Sequence, residues 1–378
     1  MSRKWLSNFA LAGTIRLLLM NSEYQKIIGN RVEVSTALNS WKRVTEGVYL
    51  YEFGIDPYEG DLFHETPIGL YVFKFIQKYL PQWALFLLFV VTDLTTALCL
   101  ALTAKRYAIE LATKRKEGKE DDRKSTDISG ISALYVSAGY LFNPYIILNC
   151  VGLTTTVFTN LLYSIALVSM TRRSMFWSCI SIALLTLQGL YPMSLMVPAT
   201  IYVASPARNR RTSIITMLII FMKMFEHFRW LFIASFQINV SLLYIVPLAL
   251  RLRRDPMLLA FSYLAIAAIF KSYPCIGDVG FYISLLPLWK HLFQHMQQGF
   301  IVGCFLLFCT VFAPTVWHQW IYSRSANANF YFGVTLAFAI AQIFLLTDIL
   351  FASVKHEFAI QHGINKKVNG NEAKLLLE

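Results

Sequence analysis

One long apolar run after another, most of them closed by lysine or arginine, makes up the greater part of this chain. In lipid no water satisfies the backbone, so such runs must be helices, and a full crossing takes about 20 residues. Candidate spans are 5–20, 82–104, 131–151, 154–170, 174–190, 191–205, 213–225, 228–250, 257–271, 279–294, 299–317 and 330–353. If the N-terminus starts in the cytosol and the sides alternate, the basic clusters at Lys105 to Lys124, Arg172-Arg173, Arg208 to Arg211, Arg251 to Arg254 and the tail after Lys355 all fall there. That parity obeys the positive-inside rule. It predicts an all-α polytopic membrane protein of about 12 transmembrane helices. The charge content of 15% supports this, because a soluble domain carries about 25%. The net charge of +12 is spent on span ends rather than on one face, which argues against nucleic acid.

A single transmembrane domain is expected over 1–360, with a lumenal loop 21–66, a charged cytosolic linker 105–128 and a flexible cytosolic tail 361–378. The loop 21–66 carries acids in excess of bases, and the segment 67–81 (PIGLYVFKFIQKYLP) is too short to cross and holds Lys74 and Lys78. It reads as an amphipathic helix lying in the interface. Arg16 interrupts the apolar stretch of the N-terminus, so a retained first helix fits better than a cleaved signal. The six cysteines form no CxxC, and no disulfide framework or metal site is expected. His291 and His295 have i, i+4 spacing but lack the glutamate of HExxH, so no metal is assigned to them.

With that topology the unusual polar residues gather on the lumenal side: Trp41 to Pro67, Phe225 to Phe228, Lys271 to Asp278 and Trp317 to Asn329. Aromatic rings can stack on sugar faces and amides can bond hydroxyls or phosphate, so the set suits an amphipathic ligand with a glycan head. The residues picked out are His318, Tyr322, Ser325, Asn327 and Asn329, with His64, Glu65 and Asp278 as further lumenal candidates. Glu226 and His227, between two apolar runs, form an ionisable pair of the kind that marks function near a bilayer. No GxxxxGK[ST], GxSxG or GxGxxG occurs, and Cys275 has no histidine within a few residues to activate it. No catalytic residue and no cofactor is expected.

Several strings are specific: RVEVSTALNSWKRVTEGVYL (31–50), FHETP (63–67), FNPYIILNC (142–150), MFEHF (224–228), FQINV (236–240), IFKSYPCIGDV (269–279) and WHQWIYSRSANANF (317–330). In that order and over nearly the whole chain, they resemble the PIG-U family. Its members are the multispanning subunits of the glycosylphosphatidylinositol (GPI) transamidase of the endoplasmic reticulum. The resemblance implies an accessory, non-catalytic subunit that binds and presents the GPI lipid for attachment to proteins. The nucleophile would lie in the caspase-like partner PIG-K, alongside PIG-T, PIG-S and the GPI anchor attachment protein. It implies GPI-head contacts at Asn327 and Asn329 and a lipid-recognition stretch at Phe225, Glu226, His227 and Phe228.

The family also resembles membrane mannosyltransferases of the GT-C type, which implies a GT-C-like arrangement of helices. It leaves a second reading open, a lumenal mannosyltransferase of GPI biosynthesis that uses dolichol-phosphate sugars. A first-loop carboxylate (Glu33, Glu46, Asp56, Glu59, Asp61 or Glu65) would then be the general base. A solute transporter, the third class, predicts ionisable residues at mid-bilayer, where Asp93 and Lys223 are the main ones. One departure from the family pattern stands out: between Arg208–Arg211 and MFEHF only TSIITMLIIFMK remains where a full span and loop are expected.

Overall fold

The computed structural model describes residues 3–60, 63–116, 122–189, 191–204, 238–271, 273, 275–362, 367–368 and 371–372. The expected span 213–225 and the first part of 228–250 lie outside them. The regular structure of the described chain is helical apart from one short antiparallel pairing, Lys367–Val368 with Asn371–Glu372, and a single bridge between Ser40 and Thr154. It divides into two units, Met1–Leu288 and Trp289–Glu378.

The first unit opens with α1 (Arg3–Met20) and the short α2 (Tyr24–Gly29). After α3 (Trp41–Glu52) and α4 (Pro67–Tyr79) comes α5 (Gln82–Lys116), which is long and apolar enough over Gln82–Thr113 to cross a membrane. It extends, still helical, into the charged segment expected as a linker, and α6 (Asp122–Leu141) begins inside that segment. The expected span 131–151 is not straight. It breaks between α6 and α7 (Pro144–Val151) with a 48° bend. The Asn143 side chain caps the Tyr145 N–H at 3.0 Å and Pro144 takes the first helical position, where its missing N–H costs nothing.

Shorter apolar helices follow: α8 (Thr156–Thr171), α9 (Met175–Gln188), a 3₁₀ turn (Tyr191–Leu195) running into α10 (Met196–Ala204), α11 (Ile238–Arg251) and α12 (Pro256–Phe270). At 1.5 Å per residue α8 is about 24 Å long, short of a hydrocarbon core of about 30 Å. Helices α8, α10 and α12 bury much of their apolar surface against protein, whereas Leu243, Val246 and Leu250 of α11 stay exposed. Helix α12 is the extreme, hydrophobic all round and buried from Pro256 to Ile266. Asp255 starts it by accepting from the Met257 and Leu258 N–H groups at 3.2 Å, and is itself held by the Tyr107 hydroxyl at 2.6 Å.

Arg16, the residue that spoiled a signal-peptide reading, is fully buried against α5. Its Nε lies 2.7 Å from Asp93 Oδ2, and its Nη1 donates to the Leu141 carbonyl at 3.0 Å. The Tyr140 hydroxyl donates to the other Asp93 oxygen at 2.7 Å. Asp93, expected at mid-bilayer, is thus half of a buried ion pair joining α1, α5 and α6. That removes the main polar residue on which a transporter reading leaned.

The loop 21–66 is folded onto this unit. Trp41 packs edge-on against Phe73 of α4 and Phe89 of α5, with centroids 5.4 and 5.3 Å apart. The backbone straps it down: Trp41 N–H donates to Leu153 O at 3.2 Å, Thr155 N–H to Asn39 O at 2.8 Å and Ile276 N–H to Glu33 O at 3.2 Å. Gly47 allows Phe63 to sit on α3, since a Cβ there would fall 2.2 Å from that ring. The helix expected at 67–81 is α4, with Leu70 and Phe73 inward and Tyr71 and Phe75 exposed.

The stretch expected as a span at 279–294 is discontinuous. Helix α13 (Ile276–Ile283) is followed by a 3₁₀ stretch, Leu286–His295, in which Trp289 leaves helical geometry. Pro287, lacking an N–H, cannot continue the helical ladder.

In the second unit α14 (Gly299–Ile321) and α15 (Ala328–His362) pack side by side, and both are long and apolar enough to cross a membrane. Asp348 of α15 accepts from the Gln297 and Gln298 N–H groups at 3.0 and 2.9 Å, satisfying donors at the start of α14. Phe300, Ile301, Leu307 and Phe308 of α14 stay exposed, a face suited to lipid or to partner helices.

Candidate functional site

The α14–α15 turn holds five of the picked residues. Helix α14 ends where Tyr322 and Ser323 N–H donate to His318 O, and the chain reverses through Arg324 in the left-handed region, at φ 51°. The Ser325 N–H then donates to Gln319 O at 3.0 Å. Asn327 has a defined local role: its Oδ1 accepts from the Asn329 and Phe330 N–H groups at 3.0 and 3.3 Å, capping α15. Asn329 sits two residues further on, exposed, with its side-chain amide presented to the surroundings. Beneath the turn Trp317 meets Trp320 and Tyr331 at centroid distances of 5.2 and 5.1 Å, and His318 lies against Tyr322 at 5.2 Å. The turn, held by these contacts, presents an exposed amide, hydroxyl and rings at its tip.

The further candidates, expected on the lumenal side, converge in the first unit. His64, Glu65 and Asp278 line one cavity of about 360 Å³, together with Asn39, Asn160 and Lys271. Lys271 Nζ and Asp278 Oδ2 form an ion pair at 2.7 Å. Glu65 is buried, and the Gln188 amide approaches its Oε2 at 3.4 Å. Burial raises the Glu65 carboxyl above its ordinary range, with hydrogen bonds from Thr155 and Gln188 and the charge of Lys271 only partly offsetting it.

Cys275 is buried, accepts from Asn39 Nδ2 at 3.1 Å and from the Gly277 N–H at 3.3 Å. Burial first, and then the charge of Asp278, push its thiol up to about 11. At neutral pH it is protonated, which is the wrong state for a nucleophile. Phe225, Glu226, His227 and Phe228 lie outside the described residues. His291 and His295 are joined by His356, with ring centroids 4.9 and 5.5 Å apart, but no group able to hold a metal occurs among the described residues.

Asn160 and Gln188 were not among the residues picked from the sequence, and Lys271 figured there only as the start of the polar segment 271–278. Asn160 and Gln188 had a legible signal, an amide inside or at the end of an apolar run.

The profile described as "GPI transamidase subunit PIG-U" matches residues 10–221 and 219–338. The GPI-anchor transamidase component PIGU of Homo sapiens is 32% identical over 431 aligned residues, covering 97% of this chain and 98% of the relative. The Mus musculus protein of that name is 33% identical, with the same coverage. The GPI transamidase component GAB1 of Saccharomyces cerevisiae is 24% identical, over 88% of this chain and 90% of its own. An alignment of 431 positions cannot be filled by 378 residues, so the human relative carries sequence that this chain lacks. The two profile matches meet at 219–221, inside the segment that looked shortened.

Proposed function

The chain belongs to the PIG-U family of GPI transamidase subunits, and from that premise we propose that it holds the GPI lipid while a partner does the chemistry. It is a membrane-embedded subunit of the transamidase complex. The proposed division of labour leaves the nucleophile to a caspase-like subunit, PIG-K, with PIG-T, PIG-S and the GPI anchor attachment protein completing the assembly. The endoplasmic reticulum membrane is the proposed site of action. About 12 crossings in a GT-C-like arrangement, with 21–66 and the α14–α15 turn on the lumenal side, is the proposed topology.

One observation carries the reading: an exposed amide, Asn329, stands on a turn braced by Trp317, Trp320 and Tyr331 at the mouth of two helices able to cross a membrane. A lipid whose head binds this tip, through Asn329, Ser325, Tyr322 and His318, can lay its tails along the apolar faces below. The stretch Phe225 to Phe228 is proposed as a further lipid contact.

The test is anchor transfer by the purified complex over a range of GPI lipid concentrations, with Asn329→Ala combined with Asn327→Ser. Serine keeps the helix cap while removing the amide. The half-saturating lipid concentration should rise with the maximal rate preserved, since only binding common to ground and transition states is lost. A lower maximal rate at unchanged half-saturation would place the turn in the chemistry instead.

A further inference from the structure

Asn160 of α8 is fully buried, and neither its amide nitrogen nor its oxygen has a hydrogen-bond partner among the described residues. Buried amides are nearly always paired. Its neighbour Asn39 shows the usual arrangement, donating to Thr156 Oγ1 at 2.9 Å and accepting from the Thr36 N–H at 2.7 Å. Asn160 lines the cavity of about 360 Å³, a size within the range of about 300–1,000 Å³ for small-ligand clefts.

The surroundings define the ligand. Lys271 and Asp278 neutralise one another at 2.7 Å. Burial holds Glu65 toward its neutral form. Besides His64, the charged groups of the lining are thus a Lys271 and Asp278 that satisfy each other and a Glu65 carboxyl whose charged form burial disfavours, a poor setting for a strongly charged ligand. What the cavity offers is above all the unpaired Asn160 amide; the Gln188 amide at the rim and the hydroxyls of Thr155, Thr156 and Thr159 already bond Glu65, Asn39 and one another, and add only their remaining acceptor lone pairs. The lining is also aromatic, with Tyr163 and Phe281 rings 5.6 Å apart at 37°. An amide that both donates and accepts matches a vicinal pair of hydroxyls, and the aromatic lining matches the C–H face of a saturated ring.

We propose that this cavity binds a neutral polyhydroxylated ring, a hexose or cyclitol headgroup, with the Asn160 amide bonded to two adjacent hydroxyls. The site is built wholly from residues of the first unit. The ring could be part of the GPI lipid itself or of another glycosylated molecule, and binding alone is claimed.

The test uses the intact complex in a polyoxyethylene detergent, so that no detergent sugar competes. Methyl α-D-mannopyranoside, methyl α-D-glucopyranoside and myo-inositol are titrated by saturation-transfer NMR. At least one should bind saturably, and Asn160→Leu should weaken it tenfold or more. Asn160→Leu should also unfold no earlier than the wild type, because an apolar isostere removes an unpaired amide. Asn329→Ala should bind the ring as the wild type does, which separates this site from the turn. Gln188→Leu, at the rim, carries the same expected loss should Asn160→Leu fold poorly. Absence of saturable binding of all three probes, or wild-type binding by a folded Asn160→Leu, overturns the proposal. Mass spectrometry of co-purified lipid then settles the source. GPI lost on titrating the bound ring assigns the ring to that lipid, and GPI retained assigns it to another glycosylated ligand; both outcomes support the site.

Discussion

Replacing Arg16 by leucine should open the first unit far more often than any surface change. The guanidinium is fully buried, and it serves Asp93 at 2.7 Å and the Leu141 carbonyl at 3.0 Å. Removing it leaves the Asp93 carboxylate, among the described residues, with the hydrogen bond from the Tyr140 hydroxyl at 2.7 Å. Breaking a buried pair by removing one partner costs about 3–5 kcal/mol, because the survivor stays desolvated. The converse change, Asp93→Leu, should cost about the same. Removing both charges leaves mainly the Tyr140 hydroxyl unpaired, a loss of about 1–3 kcal/mol. The two single losses together, at least about 6 kcal/mol, should therefore exceed the double, at most about 3 kcal/mol, by at least about 3 kcal/mol. Cys150 is fully buried close to this pair and reports opening through its rate of thiol labelling. A loss of 3 kcal/mol means labelling about 100-fold faster. Arg16→Leu labelled within about tenfold of wild type, a change of about 1.4 kcal/mol, would refute the reasoning. So would a double variant that labels faster than either single.

Glu65 should make the complex lose stability as pH rises. Its folded pKa lies above 4.5, so in the window just above 4.5 the native state holds the proton more tightly than the unfolded chain. Glu65→Gln should therefore raise the melting temperature at neutral pH, with the gain vanishing below about pH 4.5, as a pH series of thermal melts would reveal. Gly47→Ala should destabilise by about 1–3 kcal/mol, since the new methyl meets the buried Phe63 ring; a melt matching the wild type would mean that the ring relocates freely. Asp348→Ala should cost about 1–2 kcal/mol and raise hydrogen exchange at Gln297 and Gln298, whose N–H groups it accepts.

Much of this fold is legible in the sequence because a bilayer imposes length and polarity on each helix. Helices α5, α14 and α15 fall on expected spans, and α4 on the expected amphipathic segment. Hydropathy averages over local breaks, which is why 131–151 and 279–294 read as single spans. The breaks were nevertheless written in Asn143-Pro144 and in Pro287. Asn327 drew notice as an amide available to a ligand, although an asparagine just ahead of an apolar run is equally a helix-cap signal. Glu65 and Asp278 were visible as acids in a loop. Their convergence with Asn39, Asn160 and Lys271 was not, because the cavity assembles segments from 38 to 281 that no local pattern relates.

The central claim is that lipid holding by this chain is separable from the chemistry of its partner. The most direct measurement is the number of GPI lipids recovered per purified complex, counted by mass spectrometry for three forms. A complex whose caspase-like subunit has lost its nucleophile should keep its lipid, while one carrying Asn329→Ala with Asn327→Ser should be depleted of it. Equal lipid in the wild-type complex and in that double variant would contradict the account.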